Sequence, residues 1–273
     1  MPVNKQYFLP LIEEFCKKAV DLGAQSYPPH GLFVPYTFEK YEEAPIKIFY
    51  VGRDTYGWIS FNEMMQDFKN GELDNYLQKN SNVVTVQGRN QVGADEHSLK
   101  EGWNINNRWS FWTFCQKLHL YITLHKMDVD LCELTDADYQ SIEQMAYGNL
   151  NSIEHDRTLQ KMGTWQDITD ISKFQMLREE SRKIDRLRHI IEAYSPDLII
   201  VLNWEERDDV FEGLEYRWEE QWYEDKLRAV YNIAGYKTKV LWSLHPARFS
   251  YESISPCDMI EYLGNTAREL LAL

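Results

Sequence analysis

Four apolar runs in the sequence end in residues capable of chemistry. IKIFYVGRDTYGW, Ile46 to Trp58, ends in Gly52, Arg53, Asp54 and Tyr56. QMAYGNL ends near Asn149, DLIIVLNW in Asn203 and Trp204, and KTKVLWSLHP in His245 and Pro246. A fixed carboxylate stabilises a developing cation or activates a water, and an imidazole donates to a developing anion. Carboxamides offer a donor and an acceptor side by side. Taken singly, each residue also has a local explanation: Asp54 as a helix cap, the asparagines as turn residues, His245 as a satisfied polar group before a proline. Their joint occurrence at run ends is what points to a site.

The elements that would position them follow from the hydrophobic pattern. The four runs read as strands, and Asp197 to Trp204, apolar throughout, suits a strand covered on both faces. Helical patterns separate them: the aromatic NNRWSFWTFCQKLHLYITLHK, then a segment in which Leu177, Ile184, Leu187 and Ile191 share a stripe. A third helix is expected over the acidic Glu205 to Lys226, with Val210, Phe211, Leu214, Trp218 and Trp222 near helical spacing. Helices between successive strands imply right-handed crossovers. The expected fold is α/β, a three-layer α/β/α arrangement around a central, mostly parallel four-stranded sheet. Residues 1–273 read as one domain, with 1–45 as a helical and irregular N-terminal extension whose first helix ends at Gly23. Open parallel sheets bind ligands beyond the carboxyl ends of their strands, which is where Asp54, Asn149, Asn203 and His245 fall.

Composition narrows the function classes. The net charge of -14 opposes nonspecific attraction to phosphate backbones, so any nucleic-acid contact has to be local. No segment approaches the roughly 18 apolar residues of a membrane span, and the start of the chain lacks a signal-peptide pattern, which predicts a cytoplasmic protein with no membrane partner. Cys16, Cys115, Cys132 and Cys257 are scattered without C-x-x-C spacing and read as reduced thiols. The basic SRKIDRLRH, Ser181 to His189, reads as a solvated helix face, while Trp103, Arg108, Trp109 and Trp112 either stack unpaired bases or pack the core.

Two of the run ends carry a family resemblance. VGRDTYG resembles the G-Q-D-P-Y-[HG] motif of the uracil-DNA glycosylase superfamily, and LHPARFS resembles its H-P-S-P-L-S motif, in the same order and each after a strand. MAYGNL is similar to the strand and asparagine from which that family reads the uracil edge. The resemblance implies a uracil-DNA glycosylase-like fold and a hydrolase that cleaves the N-glycosidic bond of uracil or another damaged base in DNA, in base-excision repair, with no cofactor or metal. Its partners would be DNA, contacted locally or as a single strand, or a small nucleobase-containing ligand. By the same resemblance Asp54 and His245 are catalytic. Gly52 allows close approach, Tyr56 guards the pyrimidine C5 position, Asn149 reads the O4 and N3 edge, and Phe61 stacks on the base. Arg53 and Arg248 contact phosphate, and Phe249 is the wedge that enters the base stack.

The chain departs from the family at Arg53, Thr55, Ala247 and Arg248, which replace the glutamine, the proline and the Ser-Pro of the two motifs. Three alternatives stay open. The same fold can serve as a nucleobase-, nucleotide- or protein-binding protein without catalysis. An esterase would need a nucleophile at a strand end, where only Thr55 stands. A metal hydrolase would need ligand spacing that Asp54, His155 and His245 do not have.

Overall fold

A computed structural model describes residues 3–24, 30–54, 59–79, 111–131, 133–153, 171–203, 207–220 and 228–273. Helix α1 spans Lys5–Asp21, its N-terminus capped by Asn4, and Gly23 follows at φ +64, the left-handed conformation that ends a helix without a Cβ clash. Then come β1 (Tyr36–Thr37), β2 (Ile48–Asp54), α2 (Phe61–Lys69), α3 (Phe111–Leu124), α4 (Asp136–Ile142), β3 (Ala146–Asn151), α5 (Ile171–Ser181), α6 (Leu187–Tyr194) and β4 (Leu198–Leu202). The chain finishes with β5 (Tyr216–Glu220), β6 (Arg228–Ile233), β7 (Lys239–Ser243) and α7 (Pro256–Leu270).

Among the described residues the strands form one seven-stranded mixed sheet in the order β1-β3-β2-β4-β7-β6-β5. The pairs β3–β2, β2–β4 and β4–β7 are parallel, and β1–β3, β7–β6 and β6–β5 antiparallel. The expectation of a four-stranded, mostly parallel sheet is corrected accordingly. The acidic segment accounts for part of the difference, because it contains a strand where a helix was expected. Gly213 turns the chain at φ +82, and Tyr216 and Trp218 then alternate with charged residues along β5. Phe211 packs on Tyr216 at 4.4 Å and on Tyr231 at 4.9 Å, anchoring the hairpin strands to the core. The apolar spacing in this stretch fits either period over so short a window, and pairing with the distant β6 decides it.

Helices cover both faces of the sheet. On one face Tyr50 bonds His119 of α3, and a Cβ on Gly52 would meet Phe111 of the same helix. Alternation turns Phe49 to the other face, where it lies 5.4 Å from Tyr194 of α6, and a Cβ on Gly148 would meet Ile190. The chain passes from β2 to its neighbour β3 on one side, then returns across β2 to β4 on the other. Successive right-handed crossovers in opposite directions place α3 and α6 on opposite faces. The stripe expected over 177–191 is two helices, with the chain leaving α5 at Ser181 and re-entering helix at Leu187.

The core face under α3 contains a buried polar chain. His119 Nε2 lies 2.9 Å from the Ser141 carbonyl and must donate to it, so Nδ1 accepts from the Tyr50 hydroxyl at 3.1 Å. Burial outweighs the bond to Ser141 and pulls the His119 pKa down to about 4. Across the sheet edge, burial raises Asp185 to about 7, against the opposing bonds from Ser152 and the field of Arg207. The two groups act oppositely on stability. His119 binds its proton more weakly folded than unfolded, so its contribution rises with pH between about 4 and 6.5. Asp185 holds its proton more tightly folded, so its contribution falls as pH rises from about 4 to about 7. Asp185→Asn is therefore expected to remove a falling limb of at most about 1.4 kcal/mol per pH unit from the stability profile. Urea titrations from pH 4 to 7 measure it as the difference between parent and variant, and a pH-independent difference refutes it.

Candidate active site at the carboxyl edge of the sheet

Strand β2 does not turn at Gly52; it continues through Arg53 to Asp54. Its register pairs Gly52 with Asn149 and Asp54 with Asn151 on parallel β3. This places the motif residues on the strand itself, opposite the asparagine that the resemblance names. Gly52 has a steric reason to be glycine: a Cβ there would lie 3.0 Å from the Tyr147 hydroxyl, 3.1 Å from Asn149 Oδ1 and 3.1 Å from Phe111 Cε2. These contacts are tighter than side chains tolerate without shifting, so the absent side chain makes the space in which the three groups meet.

Asn149 is buried, and the Tyr147 hydroxyl donates to its Oδ1. Tyr147 and Asn149 are two residues apart on one strand and so share a face. The phenol fixes the amide orientation, and the second lone pair of Oδ1 remains part of its acceptor capacity. Tyr147 is itself wedged by Trp112 at 4.5 Å and Phe111 at 5.3 Å.

His245 follows β7 and caps a short 3₁₀ turn, Pro246–Arg248. Pro246 has no N–H, so the first donor of the turn is Ala247 N–H, which His245 Nδ1 accepts at 3.1 Å. That bond places the imidazole proton on Nε2, making a neutral donor of that nitrogen. The ring stacks on Phe111 with centroids 5.6 Å apart and planes 25° from parallel. Gly52, Asn149 and His245, from β2, β3 and the end of β7, are thus tied together through Tyr147 and Phe111. The Asn203 backbone extends the β4–β7 ladder: its N–H donates to the Ser243 carbonyl at 2.8 Å, and its carbonyl accepts from Trp242 Nε1 at 2.9 Å.

Other expected site residues lie elsewhere. Phe61 is the first residue of α2, behind a Ser60–Glu63 capping box, and its ring is buried in the core, which corrects its role as a base-stacking surface. Phe249 is 1 % exposed and packs edge-on against Phe114 at 5.0 Å, so it is not a protruding wedge. The same turn exposes Tyr251 instead, at 78 %. Arg248 pairs with Glu252 at 3.2 Å and lies over the Tyr251 ring. Arg53 is half-buried near the end of β2. Tyr56 and the Asp54 side chain lie outside the described residues, as do Trp103, Arg108 and Trp109.

Basic residues near this edge are engaged by the protein's own carboxylates. Arg207 bonds the Leu150 carbonyl, Asn151 Oδ1 and Asp209. Lys183 pairs with Glu14 and Glu180, Arg182 with Glu179, and Arg186 with Glu212. The basic stretch 181–189 is therefore a charge-balanced surface rather than a phosphate track. Among the described residues no group of three or more His, Cys, Asp or Glu side chains is placed to hold a metal ion, and no helix is long and apolar enough to cross a membrane.

Two participants, Tyr147 and Phe111, are not among the residues that the sequence marks out. Tyr147 was legible in principle, since two-residue spacing from Asn149 on a strand puts both on one face. Phe111 carried no such signal, because its contacts to Gly52 and His245 depend on how α3 lies on the sheet. No protein-family model matches the chain, and no curated protein matches its sequence.

Proposed function

We propose that the chain is a hydrolase of the uracil-DNA glycosylase type, on a fold of that type, releasing uracil or another damaged base from DNA. The observation that carries this reading is the convergence of Gly52, Asn149 and His245 at the carboxyl edge of the sheet, with the His245 proton on Nε2. In the proposed reaction the Asp54 carboxylate stabilises positive charge that develops on the sugar and orients the attacking water. Nε2–H of His245 donates to the base oxygen as the base departs as an anion, which needs only a neutral imidazole. The Asn149 amide, held by Tyr147, reads the base edge through its donor and acceptor.

Charge favours a small or single-stranded substrate. The chain carries a net charge of -14, and the basic side chains at 182, 183, 186 and 207 are already paired with carboxylates. Binding along a long duplex would need clustered, available cations. Arg53 and Arg248 are the residues proposed to meet the phosphates next to the excised base.

The test incubates purified protein with a uracil-containing single strand and with its duplex, then cleaves abasic sites with alkali. Strand scission above the Asp54→Ala and His245→Ala controls, greater on the single strand, is expected. Absence of scission on uracil and on a panel of other damaged bases would remove the hydrolase reading. If nucleobase binding persisted in those controls without any scission, the protein would be a binding protein on the same fold.

A further inference from the structure

We draw no further inference here: the strongest candidate, the surface patch that exposed Tyr251 and Arg248 form on the turn after His245, with the guanidinium carbon 5.6 Å from the ring centroid, belongs to the loop whose DNA contact the family resemblance already supplies.

Discussion

His245→Ala is expected to lower single-turnover uracil release by about 10²–10³-fold, the usual cost of removing one donor aimed at a developing oxyanion. The geometry says which atom matters. Nδ1 accepts from Ala247 N–H, which puts the ring proton on Nε2, the nitrogen that the proposed reaction uses as donor. Alanine removes both functions at once, the donor and the cap of the 3₁₀ turn. His245→Asn separates them, because an asparagine at this position accepts from the turn N–H but is too short to replace Nε2. Both variants should lose release to a similar extent, while only alanine loosens the turn. A His245→Asn protein that retained near-parent activity would show that the cap, and not the donor, supports the reaction. Asp54→Ala should lower release by about 10²–10⁴-fold, within the range of general acid–base and charge-stabilising groups. Asp54→Ala should change the melting temperature by no more than a surface replacement does, and His245→Ala by no more than the loss of one cap, about 1 kcal/mol; a larger drop would mark these residues as structural.

The second large effect is on stability, at the crossing of α3 and α7. Gly264 lies inside α7, where alanine would be preferred by about 1 kcal/mol on helix propensity alone. A Cβ there would fall 2.1 Å from Tyr121 Cδ1 and 2.6 Å from Cε1, so the ring or the helix has to move. Tyr121 cannot yield easily: its hydroxyl donates to Asn265 Oδ1 at 2.7 Å, and its ring stacks on His125 at 5.1 Å. Gly264→Ala is thus expected to cost about 1–3 kcal/mol through overpacking, despite the gain in propensity. Thermal unfolding should show this as a lowering of roughly 3–10 °C. Tyr121→Ala creates its own cavity, yet in combination with Gly264→Ala it should destabilise by less than the sum of the two. Strict additivity in that cycle would refute the clash as the cause. The crossing also bears on the candidate site, because α3 carries Phe111, which lies against Gly52 and His245, at its start.

Legibility in the sequence followed the range of the interactions. Leu198–Leu202 was readable because a run apolar at every position has few uses other than a strand covered on both faces. The end of α1 was readable because Gly23 announces a left-handed residue. The acidic stretch reads as a helix in sequence because Val210, Phe211, Leu214, Trp218 and Trp222 fall near helical spacing, whereas the ring that Tyr216 and Trp218 meet, Tyr231, comes from the distant β6. Phe61 and Phe249 show a related limit. Sequence says that a phenylalanine is apolar, but whether it is buried or exposed depends on which surface its element meets.

The sequence by itself determined that Asp54, Asn149, Asn203 and His245 stand at the ends of apolar runs, because run ends are set by local composition. Only the tertiary structure decided which of them meet. Asn149 faces Gly52 because β3 pairs with β2 in a register that aligns the two. It also brought in Tyr147 and Phe111, since a ring on α3 can cover a glycine on β2 only after both have packed. Side-chain type is local information, whereas proximity across a sheet and a helix is created by folding.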